Sequence, residues 1–256
     1  MSSLEIPAPA VMAARRPPRT WYFLGTTVVG LVAYGAMILV QLATLLLLAL
    51  HAEPVMTSQA ELQALLNQGG SIATATIAAC PFVLGVLWVA IRIARHRFAS
   101  YLALRWPVRR SLVRGLAISF AFLLAWDLLS YLTGQKTPDF AIDSYRTAKD
   151  AGALPLLLIA FCVAAPITEE FAVRGFLFRG WSRSFLGPIG AILLSSALWA
   201  AMHVQYDWYY VCEVFLIGLI FGYLRQRSGS TWLTVITHGF CNLAILGQTA
   251  WIVARL

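Results

Sequence analysis

Residues Trp21–Leu50 read WYFLGTTVVGLVAYGAMILVQLATLLLLAL, thirty residues without a charge. A helix needs about 20 apolar residues to cross a hydrocarbon core of ~30 Å, so this segment spans with length to spare. It follows a basic, proline-containing tail with Arg15, Arg16, Pro17, Pro18 and Arg19. It is also much longer than the ~7–15-residue core of a cleavable signal, and so reads as an uncleaved signal anchor.

The pattern repeats outward from this segment. The chain has 256 residues, 60% of them hydrophobic and 12% charged, with a mean hydropathy of +0.75. A soluble domain does not tolerate that composition. Apolar runs predict seven spans, at 21–50, 72–94, 113–134, 153–178, 188–204, 208–224 and 231–254. The expected fold is therefore all-α, a polytopic transmembrane helix bundle. Its expected organisation is a disordered basic tail over 1–20 and a single integral-membrane domain over 21–256.

Basic residues accumulate in cytoplasmic loops. With the N-terminus cytoplasmic, only Lys136, Arg146, Lys149 and Arg255 fall on the opposite side. That orientation, with the C-terminus outside, is the expected one. The net charge of +8 is spread over loops and forms no contiguous basic domain, which excludes nucleic acid as a partner. The four cysteines, Cys80, Cys162, Cys212 and Cys241, all fall in spans without CxxC spacing and read as small buried hydrophobes. The Ala- and Arg-rich composition reads as prokaryotic, which would put the chain in an inner (plasma) membrane.

Charge at membrane depth costs about 2.5–3.5 kcal/mol per residue on insertion scales, so charges there need partners or a function. The problem is sharpest in ITEEFAVRGFLF, Ile167–Phe178. On a helix Glu170 and Arg174 are four apart and face each other, whereas Glu169 is rotated about 100° away and is left over. His238 and Asn242 are also four apart and share one face of the last span. Asp127, His203 and Glu213 are the remaining polar residues of this kind. Asp127 would line a hydrophilic cavity or form a buried pair, and Glu213 reads as interfacial. His203 lies about 22 Å along its span from Pro188, too deep to meet Glu169 unless that span tilts or begins below the surface. Gly218 and Gly222 form a GxxxG pattern, read as close helix packing within the chain before dimerisation. A monomer or a weak homodimer is expected.

The set Glu169-Glu170-x3-Arg174, Trp199-x3-His203 and His238-x3-Asn242, with the wording PITEEFAVRGFLF and GLIFGYLRQRSGSTWLTVITHGFCN around it, resembles the three motifs of the CPBP family. These are the CAAX-processing and bacteriocin-processing intramembrane proteases. The likeness covers residues 153–250. The resemblance implies Glu169 as general base on a water, His203 holding that water, and His238 with Asn242 stabilising the oxyanion. Glu170 and Arg174 would hold Glu169 in its rotamer. The family's second motif usually begins with Phe, and Trp199 in its place is expected to alter packing beside His203 and leave the chemistry alone.

No cofactor is required by this scheme. Glu169, His203 and His238 would alternatively make a zinc site with one position open for water. No HExxH, GxGD or GxSG signature is present. The expected function is an intramembrane endopeptidase acting on a membrane protein or lipidated peptide, with the lipid bilayer as its other partner. Its substrate could be a maturing peptide, a bacteriocin or a membrane-anchored regulator. A non-proteolytic scaffold or immunity-type binding protein on the same fold is the alternative. A proton-coupled transporter is a third reading, disfavoured because no second copy of the EExxxR segment occurs.

Overall fold

The computed structural model describes residues 19–52 and 58–255, and these form helices and connections with no strand among them. The all-α bundle expected from composition is thus the architecture found. Ten helices follow in order: α1 (Tyr22–Leu50), α2 (Gln59–Leu66), α3 (Gly69–Ile93), α4 (Phe98–Tyr101), α5 (Arg109–Thr133), α6 (Asp139–Asp150), α7 (Leu154–Ser182), α8 (Gly187–Ala201), α9 (Trp208–Ser228) and α10 (Thr231–Val253). Residues 1–18, most of the tail expected to be disordered, lie outside the described residues.

Five helices, α1, α3, α5, α7 and α9, are long and apolar enough to cross a membrane, and the chain is a multi-pass integral membrane protein. The two other expected spans fall short for different reasons. Helix α8 has 15 residues, about 22 Å, less than the ~30 Å core. Helix α10 has the length, at 23 residues, but carries His238, Asn242 and Gln248.

Helix α1 packs chiefly along α3 and buries only Thr26 and Ala33. Its contact with α7 is tight where it occurs. An added Cβ on Gly180 would stand 1.7 Å from Thr26 Oγ1, so only glycine lets the two backbones approach there. The indole of Trp181 donates to Thr27 Oγ1 at 3.0 Å beside this point. On the other side of the bundle the GxxxG glycines pack within the chain, as expected. Gly218 faces Ser196 and Gly222 faces Ile192, both on α8.

Helix α7 lies at the centre and is not a regular α-helix. It widens into π-helical turns at Ala160–Ala164 and again at Phe171–Leu177. Such turns inside α-helices recur at functional sites. In the first, the Ala165 N–H bonds the Ala160 carbonyl, an i+5 pattern. That pattern would pair the next carbonyl, of Phe161, with residue 166, and Pro166 has no N–H to give.

Candidate active site

The orphaned Phe161 carbonyl is taken by Asn242, whose Nδ2 donates to it at 2.7 Å. One turn earlier on α10, Gly239 allows the approach, since a Cβ there would lie 2.5 Å from the Cys162 carbonyl oxygen. The expected shared face of His238 and Asn242 is therefore the face that α10 turns toward α7.

The acidic pair divides in two, as its helical geometry requires. Glu170 and Arg174 are both fully buried, and Arg174 Nη1 donates to Glu170 Oε1 at 3.0 Å. Its Nη2 donates to the Gly218 carbonyl at 3.2 Å, and the guanidinium lies 4.4 Å from the Trp199 ring centre. A Cβ on Gly218 would come 3.2 Å from that Nη2, so the glycine is also what admits the arginine. Glu170 Oε1 accepts a second bond, from His238 Nδ1 at 3.1 Å. The pair expected to hold Glu169 thus orients His238 directly and reaches Glu169 by way of Trp199. The Trp199 Nε1–H donates to Glu169 Oε2 at 2.6 Å. The expectation that Trp for Phe changes packing alone is thereby corrected, because a phenyl ring has no N–H.

His203 is not inside a span. Helix α8 stops at Ala201, and His203 sits in the following turn with its N–H on the Ala200 carbonyl at 3.0 Å. The depth objection disappears because a short helix ends where a longer one would have carried the histidine past the site. Its Nδ1 lies 2.8 Å from the Trp199 carbonyl. A carbonyl only accepts, so Nδ1 carries a proton, and in that tautomer Nε2 is the acceptor.

Glu169, His203, His238 and Asn242 line one cavity of about 800 Å³, enclosed by α1, α3, α6, α7, α8 and α10. Its walls are mainly apolar, with Ala79, Val83 and Leu87 from α3 and Ala33, Tyr34 and Met37 from α1. Tyr206, which the sequence did not single out, stacks on His203 with ring centres 6.0 Å apart and lines the same space. Burial, then the charges of Glu213 and Glu169, push its hydroxyl up to about 12, so it stays a neutral phenol. Asp127 lies on the exposed face of α5 and outside the cavity, which corrects its expected place. Cys212 is likewise exposed, unlike the buried Cys241. Among the described residues no three His, Cys, Asp or Glu side chains are grouped so that they could hold a metal ion.

A mainly apolar cavity with a few converging polar and ionisable side chains, set among the helices of a multi-pass membrane protein, is the kind of place where a binding or active site is expected. Residues 151–244 match the family model described as type II CAAX prenyl endopeptidase Rce1-like. That segment contains the Glu169-Glu170-x3-Arg174, Trp199-x3-His203 and His238-x3-Asn242 motifs. A stretch of 86 residues is 35% identical to the "Uncharacterized 24.3 kDa protein" of Escherichia coli, covering 32% of this chain and 39% of that protein. The match thus spans well under half of that curated relative. No solved structure matches the chain.

Proposed function

We propose that the protein is an intramembrane endopeptidase that hydrolyses a peptide bond with a glutamate-activated water. The observation that carries this reading is the convergence of Glu169, His203, His238 and Asn242, from three separate parts of the chain, on one cavity. Glu169 lines the cavity, and among the described residues its one hydrogen bond is to Oε2, which leaves Oε1 for a water. His203 Nε2 accepts a hydrogen bond from that water and aligns it. Glu169 then takes the water's proton as its oxygen attacks the carbonyl carbon. The developing oxyanion accepts hydrogen bonds from the second Nδ2 proton of Asn242 and from His238 Nε2. Because Nδ1 of His238 is committed to Glu170, Nε2 donates to the oxyanion only when the ring carries both protons. When the C–N bond breaks, Glu169 returns its proton to the leaving amine.

The apolar walls favour a substrate segment that lies in the membrane, either part of a membrane protein or a lipidated peptide. The test uses protein N-termini that appear in membranes only when the wild type is expressed. Substituting Glu169, His203, His238 or Asn242 by Ala, at matched protein level, is expected to remove them. Persistence of those termini in Glu169→Ala rejects the proposed base.

A further inference from the structure

We infer that Trp199 is a positioning residue that fixes the catalytic glutamate and histidine relative to each other, a role that rests on the protease reading above. Its indole N–H and its backbone carbonyl reach the two residues proposed to handle the water. The indole N–H donates to Glu169 Oε2 at 2.6 Å, and the backbone carbonyl accepts from His203 Nδ1 at 2.8 Å. One residue therefore sets both the rotamer of the base and the tautomer of the histidine.

The indole is itself held. The Arg174 guanidinium covers its face at 4.4 Å, and the His203 and His238 rings meet its edges at 5.1 and 5.3 Å, both near perpendicular. Arg174 in turn is fixed by Glu170 and the Gly218 carbonyl. Trp199 is 3% exposed, so water does not compete for its N–H. With Oε2 held by the indole, the carboxylate no longer turns freely, and Oε1 is the oxygen without a protein donor among the described residues. A phenylalanine at this position would keep an aromatic ring and the backbone bond to His203, would lose the bond to Glu169, and would shed part of the ring packing.

That difference is the test. In detergent-solubilised full-length protein labelled with ¹⁵N in its tryptophans, Trp199→Phe removes one indole N–H resonance and so assigns Trp199. Glu169→Gln is then expected to move that resonance upfield, with the other eight of the nine tryptophans unaffected. In cells, Trp199→Phe is expected to slow the appearance of wild-type-specific N-termini about tenfold, the scale of one hydrogen bond to a charged group. Its melting temperature should fall by only a few degrees. An indole resonance indifferent to Glu169→Gln, or full cleavage by Trp199→Phe, overturns the inference and leaves the protease reading standing. Identical maps for wild type and Glu169→Ala overturn the protease reading and this role together.

Discussion

Replacing Arg174 by Met keeps a long apolar stem and removes every polar contact of the guanidinium. Four are lost: the bond to Glu170 Oε1, the bond to the Gly218 carbonyl, and the contacts over the Trp199 and Phe221 rings. Two magnitudes compete. Interhelical hydrogen bonds in membranes average only about 0.6 kcal/mol, because the unfolded chain finds partners too. Removing one member of a buried ion pair costs about 3–5 kcal/mol, because it strands a charge. The second should govern here, since Glu170 is 0% exposed and, among the described residues, no hydrogen bond reaches its Oε2. His238 still bonds Oε1 and offsets part of the loss, so the lower end, about 3 kcal/mol, is expected. At about 2–4 °C per kcal/mol for a chain of this size, the melting temperature in detergent should fall by ~6–12 °C. The double variant Arg174→Met/Glu170→Gln removes the stranded charge and keeps an acceptor for His238, and should recover at least half of the fall. Melting measured by circular dichroism decides it. A single variant within ~2 °C of wild type, or a double variant less stable than the single, refutes the argument.

Three further outcomes are expected. Gly180→Ala drives a methyl into Thr26 and should cost about 1–3 kcal/mol by overpacking, with Thr26→Gly restoring the melting temperature. Asn242→Leu should abolish cleavage and also lower stability by about 1–3 kcal/mol, because the Phe161 carbonyl loses its donor. Hydrogen exchange at α7 would report that loss. Cleavage should persist after chelation, since no step passes through a metal; loss with chelator and recovery with stoichiometric zinc would reverse that conclusion.

Much of the bundle was legible because hydropathy reports lipid-facing surface directly. The segment Trp21–Leu50 became α1 almost residue for residue. Helices α2 and α6 escaped the apolar search because they are short and polar, although Ser58 and Glu61 form a capping box that marks the start of α2. The pairing of Glu170 with Arg174, and the common face of His238 and Asn242, followed from helical spacing alone. What spacing does not encode is the backbone irregularity that aims these residues. The π turns of α7, the carbonyl freed by Pro166, and the early stop of α8 before His203 are settled by tertiary contacts. The role of the Trp199 N–H was hidden for another reason. An aromatic in a motif reads as packing until its polar edge is found against a carboxylate.

The claim that Glu169 performs chemistry is tested most directly by comparing protein N-termini in membranes of cells making the wild type or Glu169→Gln at equal levels. The amide keeps the shape and the bond partner's position while removing the base. The account predicts a set of termini present only with the wild type, lying in or beside apolar segments of membrane-associated proteins. Two indistinguishable sets would contradict it.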